Sequence, residues 1–414
     1  MTNKAIEHFD NEKPHTRIKH KLFKAVLDTS MNIANGINHT KKESKPYIYI
    51  DLFAGAGKFK DEQKGSPLIA LNSFEKYKSK ELRTFSAIQM IVAEQDTKNI
   101  YELKKNINCE KQVLLLNDLS CKFFEGSWET HSETLKKNIK SSHWGFVFVD
   151  PFSLELNFDK LLDFINESPY YKDILILINK SAQERVLGKI EEPDIFKLCN
   201  YFNISEQLLK KLFESIKTKG KSNEVVIQHL IKRSLHKLDK DYIINAAITR
   251  TRNGKLENSD RFYLCLITSS IGVANSFLEK YAEELEDKTL NNRNLQLSLF
   301  GTSPDTKYIS LEEKIENIIK KEQKPITLFR LTQKLYNVFL SWRASDGSEI
   351  PHRKALLTAL NNLLNNKKIT IINQEKADRG CLNQETNNLL SKSLNTKKYA
   401  KSITLTYTGN SFHI

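Results

Sequence analysis

The segment from Asp51 to Gly57 joins one acidic residue and two glycines directly to a run of β-branched and aromatic residues. Tyr47 to Ile50 has the composition of a buried strand, and Asp51 ends that strand with an acceptor group. Gly55 and Gly57 carry no side chain, as is needed where backbone approaches a bound molecule or takes a positive φ. The pattern predicts a strand that leads into a tight turn shaped for a ligand.

Polar groups also follow three other apolar runs. Glu94 ends the run from Ile88, Asp118 follows the run Leu114 to Leu116, and Asp150 follows Phe146 to Val149. In a doubly wound α/β fold the carboxyl ends of the strands border one crevice, where an acidic residue accepts hydrogen bonds from ribose hydroxyls. We therefore predict a cofactor crevice. Its residues would be Asp51, Phe53, Gly55, Gly57, Glu94 and Asp118.

The pattern D-x-F-x-G-x-G resembles the first motif of class I S-adenosylmethionine-dependent methyltransferases, which implies S-adenosylmethionine as the cofactor. Asp150-Pro151-Phe152 is similar to the D-P-P-[YF] element with which amino methyltransferases bind the target nitrogen, although the second Pro is absent. We predict Asp150, Pro151 and Phe152 as catalytic residues, with Phe152 stacking on a base and Asp150 accepting from an amine. A C5-cytosine methyltransferase is disfavoured because Phe152, not Cys, follows Pro151.

Short apolar runs alternate with helical patterns from Tyr47 to about Thr268, as expected for a parallel sheet covered by helices. We expect a methyltransferase-like doubly wound Rossmann domain over residues 1–286, with an N-terminal basic helix near His15 to Ala34 and a helical insertion near 192–216. The predicted strands are 47–52, 88–94, 113–116, 145–149, 174–178, 242–248 and 262–268. The predicted helices between them are 66–77, 98–106, 132–140, 158–166 and 224–236.

Several of these segments together resemble a known family, the three-Cys-motif partner proteins (TcmP). The resemblance covers roughly His15 to Glu286 and implies a methyltransferase-like fold and a partner with three cysteines that resembles a radical S-adenosylmethionine, iron–sulfur protein. It does not specify a methyl-transfer reaction. The segments that carry it are Lys19-His20, Tyr49 to Gly57, Gly65-Ser66-Pro67-Leu68-Ile69-Ala70-Leu71, Glu94-Gln95-Asp96, Val149-Asp150-Pro151-Phe152 and Ile267-Thr268-Ser269.

Residues 287–308 have the composition of an exposed connector, which is interrupted by one apolar pentapeptide. That pentapeptide matches the Q-L-[SD]-L-F motif of proteins that bind the bacterial sliding clamp, since an extended peptide of this kind inserts its apolar side chains into a groove. The alternative is that the pentapeptide packs on a neighbouring domain. The predicted clamp-binding residues are Gln296, Leu297, Ser298, Leu299 and Phe300.

The remaining residues, 309–414, are predicted to form a winged-helix (α+β) domain of three helices and at least two strands. Ser310 and Glu313 form a capping box before the first helix, and Pro351 opens the third. The domain carries 17 Lys and Arg against 9 Asp and Glu, which favours DNA over protein as its partner. The predicted DNA-binding residues are His352, Arg353, Lys354, Lys367 and Lys368, with Lys376, Arg379, Lys397 and Lys398 on a long wing.

Composition restricts the classes to which the chain belongs. The 414 residues are 39% hydrophobic and 28% charged, and no apolar run approaches the roughly 20 residues of a membrane span. The five cysteines are far apart, so no metal cluster is predicted. The net charge of +14 favours a polyanionic partner. We expect a cytoplasmic protein that does not bind membranes.

Three functions agree with these patterns. The first is a TcmP-like protein that acts on DNA with its three-Cys partner in DNA repair, modification or phage defence and binds S-adenosylmethionine. The second is a nucleic-acid amino methyltransferase that acts on its own. The third is a non-catalytic subunit that recruits an iron–sulfur partner to DNA and the clamp, which the missing second Pro favours slightly over an enzyme.

Overall fold

The computed structural model describes residues 14–79, 83–139, 143–152, 154, 156–167, 173–218, 223–235, 237–238, 240–252, 255–290, 310–322, 324–337, 350–371, 390, 394 and 403–407. The chain divides into two compact units, Met1–Asp239 with Ala247–Cys265, and Lys240–Ala246 with Leu266–Ile414. The pentapeptide 296–300 and the four basic residues of the wing lie outside the described residues, so the predictions made for them are retained as predictions.

Seven of the described strands form one sheet of mixed α/β architecture. Its order is β3-β2-β1-β4-β5-β7-β6, and the four pairings from β3 to β5 are parallel. Since two residues join β6 to its neighbour β7, those two strands must be antiparallel. The strands are β1 (Tyr47–Asp51), β2 (Ile88–Glu94), β3 (Ser120–Glu125), β4 (Trp144–Val149), β5 (Asp173–Ile178), β6 (Tyr242–Arg252) and β7 (Lys255–Thr268).

This large, mostly parallel sheet agrees with a methyltransferase-like Rossmann fold. Strands β3 to β5 follow the order 3-2-1-4-5 of doubly wound folds, with the change of direction between β1 and β4. In such sheets, ligands bind at the carboxyl ends of the strands on either side of that point. A ligand site is therefore expected at the carboxyl ends of β1, β2 and β4.

Six of the seven predicted strands are present, but the strand predicted at 113–116 is wrong. That segment is the end of a helix and the turn after it, and the third strand begins at Ser120. Val113 and Leu115 are 76% and 66% exposed, and Leu115 has a φ of +56°. An apolar run therefore gave a false strand signal, because half of its side chains face solvent instead of a core.

Nine α-helices of the first unit are described, together with a 3-10 helix at Trp128–His131. The predicted insertion near 192–216 is helical, but it forms two helices, α7 and α8, separated at the left-handed Asn203. The helices are α1 (Pro14–Lys41), α2 (Ser66–Glu75), α3 (Thr97–Val113), α4 (Ser132–Lys137), α5 (Phe158–Asn166), α6 (Lys180–Leu187), α7 (Ile195–Phe202), α8 (Glu206–Lys217) and α9 (Asn223–Leu235).

Helix α1, which is basic but carries an apolar stripe, packs against the sheet. Leu22, Phe23 and Val26 are fully buried, and the Phe23 ring lies 4.6 Å from the Phe148 ring of β4, measured between centroids. Burial of an aromatic side chain of this size contributes about 2 to 3 kcal/mol. Helix α1 is therefore fixed over β4, and its polar residues are held in defined positions.

The second unit contains four described helices and a small antiparallel sheet of order β8-β10-β9. The winged-helix assignment of this unit is retained as a prediction. Helix α10 belongs to the same unit and packs against α13. Its elements are α10 (Ile271–Leu290), α11 (Leu311–Glu322), β8 (Ile326–Thr327), α12 (Leu328–Tyr336), α13 (Arg353–Asn365), β9 (Ile369–Ile371) and β10 (Thr404–Tyr407). None of the described helices is long and apolar enough to span a membrane.

The turn after β1 requires glycine at position 57. Gly57 has a φ of +81°, and a Cβ atom added there would lie 2.8 Å from Cδ1 of Leu103 in α3. Gly36 in α1 is a useful contrast, because it is exposed and a Cβ atom there would meet no atom within 4 Å. A side chain is thus excluded at Gly57 and accommodated at Gly36.

We predict that Gly57→Ala lowers the free energy of unfolding by roughly 1 to 3 kcal/mol, since it combines a left-handed backbone with a steric overlap. Gly36→Ala should instead raise it by roughly 0.5 to 1 kcal/mol, because Ala has less conformational entropy to lose in a helix. Denaturant unfolding of both variants measures the difference. Equal stability of the two variants would show that the turn does not require glycine.

Candidate cofactor site

The ends of β1, β2 and β4 lie side by side. Asp51, the last residue of β1, pairs with Val92 of β2 on one side and with Phe148 of β4 on the other. Glu94 and Asp150 each lie two residues beyond those partners. The register therefore brings three predicted acidic residues to one edge of the sheet, around the point where the strand order reverses. We call this edge the crevice.

Asp51 is fully buried and organises the turn from below. Its Oδ2 accepts hydrogen bonds from the hydroxyls of Tyr49 and Ser66, both at 2.8 Å, and its Oδ1 accepts one from the Phe53 N–H at 3.2 Å. A carboxylate with no exposed surface cannot contact a ligand in this arrangement. The predicted cofactor contact is thus corrected to a positioning role, in which Asp51 joins the end of β1 to the start of α2.

Burial also changes the acidity of this carboxyl group. Desolvation raises the pKa of Asp51 to about 6, although the hydrogen bonds from Ser66, Tyr49 and the Phe53 backbone act in the opposite direction. The charge of nearby Asp150 adds to the increase. The carboxyl group therefore titrates near neutrality at the base of the crevice.

Gly65-Ser66-Pro67, the most distinctive segment of the sequence, fixes the far side of the same turn. The Gly65 N–H donates to the Gly57 carbonyl at 2.7 Å, and a Cβ atom on Gly65 would approach that oxygen to 3.0 Å. Ser66 donates to Asp51, while Pro67 stands at the first turn of α2, where its missing N–H costs nothing. Sequence reasoning noted the motif but missed Ser66 as a partner of Asp51.

Glu94 holds the glycine turn against the end of β2. Its Oε2 accepts from the Gly55 N–H at 2.7 Å, and its Oε1 accepts from the Asp96 N–H at 2.9 Å. Gly55 has a φ of +62° and is half-buried. An ionised carboxylate has about four lone-pair positions, so Glu94 retains acceptor capacity toward a ligand in the crevice.

Asp150 meets a cation that the sequence did not assign to the site. The Lys19 ammonium group of α1 forms a short ion pair with Asp150 Oδ2, and the two side chains are 13% and 20% exposed. Pro151 is buried, and Phe152 is 45% exposed. The next residue of α1, His20, lies with its ring 6.0 Å from that of Phe59 in the loop after β1. Helix α1 thus contributes Lys19 to the crevice and His20 to a contact with the loop after β1.

Asp118 does not reach the crevice. It precedes β3, which runs parallel to β2, and so it lies at the opposite edge of the sheet, 3.9 Å from Arg83 and 70% exposed. The cause is the misplaced third strand, because the true strand begins two residues after Asp118. The residue that lies beside Glu94 at the correct edge is Glu125, which pairs with it in the register.

The predicted DNA-binding residues lie in the second unit, at the two ends of α13. His352 precedes the helix, Arg353 is half-exposed and Lys354 is exposed. Lys367 and Lys368 follow the helix and are exposed, but Lys368 Nζ donates to Glu316 Oε2 at 2.9 Å. Part of its charge is thus matched within the unit.

The leucines of α13 are not all on its buried face. Leu356, Leu360 and Leu363 are buried as expected, but Leu357 and Leu364 remain half-exposed. The helix completes its buried face with Ala355 and Ala359. Within the described residues, no group of acidic, His and Cys side chains has the arrangement of a metal site.

The strand order and the crevice define a Rossmann-like α/β domain. Neither the scan of protein-family models nor the search of curated proteins found a match. Solved structures that resemble the chain include protein LPL1258 from Legionella pneumophila, with 10% identity over 60% of this chain and 85% of that one and a TM-score of 0.33.

Two methyltransferases are also similar. The precorrin-6y C5,15-methyltransferase from Geobacter metallireducens has 9% identity over 60% of this chain and 87% of its own, with a TM-score of 0.25. The plantazolicin methyltransferase BamL, solved with a desmethylPZN analog and SAH, has 11% identity over 61% and 84%, with a TM-score of 0.31. At this level of similarity the fold assignment depends on the strand order and register of the chain itself.

The raised pKa of Asp51 predicts an unusual dependence of stability on pH. The folded pKa of about 6 exceeds the ordinary value of 3.8, so the folded state holds the proton more tightly and loses stability as the pH rises from about 4 to 6. Asp51→Asn lacks this titration. Its destabilisation, measured by denaturant unfolding, should therefore be largest at pH 4 and should shrink by roughly 3 kcal/mol by pH 7. A difference that is constant over this range would contradict the assignment.

Proposed function

We propose that the crevice binds S-adenosylmethionine and that the chain is a TcmP-like protein that acts on DNA. The observation that carries the proposal is the convergence of Glu94, Asp150 and the glycine turn at the ends of three neighbouring strands. This is the position at which doubly wound folds bind nucleotide-like ligands. Asp51 contributes indirectly, because it holds the turn in place.

The residues of the crevice fit an adenosyl compound. The free lone pairs of Glu94 are available to ribose hydroxyls, and Gly55 leaves no side chain over the turn. Phe53 is half-buried beside them, with its backbone fixed by Asp51. When bound, S-adenosylmethionine supplies an electrophilic methyl group. The chain itself would contribute the binding groups and the ion pair of Lys19 with Asp150.

That ion pair supports a second candidate function, the non-catalytic recruitment subunit. An amine that binds Asp150 must displace the Lys19 ammonium group, which is held by a helix packed firmly on the sheet. After the displacement, the Lys19 ammonium group would be a desolvated cation without a counter-ion, which is unfavourable. The ion pair therefore favours the recruitment subunit over an amino methyltransferase that acts on its own.

Calorimetric titration tests cofactor binding. We expect S-adenosylmethionine to bind the native chain, and Glu94→Gln to lower the affinity by about tenfold or more, because a hydrogen bond to a charged group contributes about 1.5 to 3 kcal/mol. Asp118→Asn is the matched control and should bind as the native chain does, since Asp118 lies at the other edge of the sheet. A native chain that does not bind would overturn the proposal.

A methyl-transfer assay with DNA on the same samples separates the candidate functions. Binding without transfer supports the recruitment subunit, whereas transfer by the chain alone supports the amino methyltransferase. Addition of a three-Cys iron–sulfur partner to the same assay tests the TcmP-like function, for which transfer or another modification of DNA should require both proteins.

We further propose that the second unit binds DNA through the basic residues at the two ends of α13. The local excess of basic residues and the exposed Lys354 and Lys367 support this. A clamp contact through Gln296 to Phe300 would place the same protein at replicating DNA, in keeping with a role in DNA repair, modification or phage defence. The sequence pattern alone supports the clamp contact.

Charge reversal tests the DNA proposal. Arg353→Glu with Lys354→Glu should weaken binding to duplex DNA and should reduce the slope of log affinity against log salt by about two, one for each lost phosphate contact. Lys321→Glu with Lys324→Glu is the control of equal charge, because both lysines are exposed in the same unit. Anisotropy titrations at several salt concentrations measure the slope. Equal effects of the two double variants would contradict a site at α13.

A further inference from the structure

A cleft of about 440 Å³ opens beside the glycine turn, between the loop after β1 and helix α3. Ala56 of the turn lines it, and so does Asp96, which follows Glu94 by two residues. The cleft therefore adjoins the crevice within the first unit. Its volume lies in the range that holds a nucleotide-sized group.

Four lysines line this cleft, namely Lys58, Lys60, Lys98 and Lys105. The acidic residues that share the lining are Glu62, Asp96 and Glu102. Two of these three acidic residues have local partners, and Glu102 does not.

Two of the acidic residues are already occupied. Glu62 pairs with Lys58 at 3.0 Å. The Asp96 side chain accepts from the backbone N–H groups of Lys98 and Asn99 at 2.9 and 3.0 Å, so its charge faces the start of α3. Glu102 lies one helical turn from Lys98 and from Lys105 but forms no ion pair with either.

The ammonium groups of Lys98 and Lys105 make no ion pair within 4 Å in the described part of the chain. Both side chains are exposed on α3. Tyr101 lies between them, three residues after Lys98 and four before Lys105, and is 69% exposed. Residues at these spacings are neighbours on a helix surface. Two unpaired cations of the cleft thus lie next to an exposed aromatic ring on the same helix, just outside the residues that line the cleft.

We infer that this cleft binds the sugar-phosphate backbone of a single nucleic-acid strand, with a base stacked on Tyr101. Cationic grooves with exposed aromatic rings bind single strands in this way, because every base offers a π face and every phosphate a charge. A duplex keeps its bases stacked inside, so it cannot use the ring. The inference goes beyond the proposed function, since it requires neither cofactor binding nor the second unit.

The test uses anisotropy titrations of a labelled 12-nucleotide oligothymidylate with the full chain carrying Arg353→Glu and Lys354→Glu, which removes the proposed duplex site. Adding Lys98→Gln with Lys105→Gln should weaken binding by about tenfold and reduce the salt slope by about 1.4, because each phosphate contact to a single strand contributes about 0.7. The matched control is Lys189→Gln with Lys197→Gln, two exposed lysines after β5, which should change neither quantity.

Tyr101 provides an independent readout. Tyr101→Ala should weaken the single strand by about fivefold or more, whereas Tyr101→Phe should retain the native affinity, because stacking needs the ring and not the hydroxyl. A duplex of the same length should respond to neither change. Equal losses for single strand and duplex, or equal effects of the Lys98 and control double variants, would overturn the inference.

Cofactor titration separates this inference from the proposed function. Lys98→Gln with Lys105→Gln should leave the affinity for S-adenosylmethionine unchanged, so a strand effect with intact cofactor binding supports the cleft. A native chain that binds the strand through these lysines but binds no cofactor would retain the inference and reject the proposed function. If the chain binds the cofactor but the lysine and Tyr101 variants bind the oligonucleotide as tightly as before, the inference is rejected and the proposed function is retained.

Discussion

The first unit depends on one buried carboxyl group at the end of its central strand. Asp51 bonds to the side chain of Tyr49 in its own strand, to the backbone of Phe53 in the turn and to Ser66 at the start of the next helix. Taking a carboxylate out of water costs several kcal/mol, which these hydrogen bonds only partly offset. The strand end, the turn and α2 are consequently held as one piece. Apart from Lys19 of α1, the groups that border the crevice take their positions from that piece or from the strands on either side of it.

The two carboxylates that border the crevice already have partners within the chain. Glu94 directs its two oxygens toward backbone N–H groups of the turn and of the residue that caps α3, while Asp150 is paired with Lys19. Both carboxylates therefore have partners before any ligand arrives. Glu94 retains lone pairs, but Asp150 offers an incoming cation only a site that another cation holds. This difference is the reason for proposing that the crevice binds a cofactor and does not recognise an amine.

Much of this arrangement was predictable from the sequence. At β1, β2 and β4 the apolar runs and the polar residues that follow them indicate the same strand ends. The register that aligns Asp51, Glu94 and Asp150 follows from strand direction alone. The prediction was wrong at β3, where Val113 to Leu116 has the apolar composition of a strand but ends a helix, and Asp118 was misplaced with it. The partners of Asp51 and Asp150 were not predictable, since Ser66 and Lys19 are distant in sequence and no local pattern reports a contact made across the fold. In α13 the alanines, not all the leucines, form the buried face, because helix packing selects by shape as well as by hydrophobicity.

The loop after the glycine turn is closed at its base. Gly65 bonds to the carbonyl of Gly57, and Lys58 and Lys64 form an isolated antiparallel bridge just above. The residues between Gly57 and Gly65 therefore form a loop whose two ends meet. This loop and helix α2 together account for the long stretch of sequence between Gly57 and Glu94. Insertions or deletions at its tip would leave the supporting bonds intact. Because Lys58, Lys60 and Glu62 of this loop line the cleft, sequence changes at its tip would reshape the cleft while the bonds that support the glycine turn stay intact.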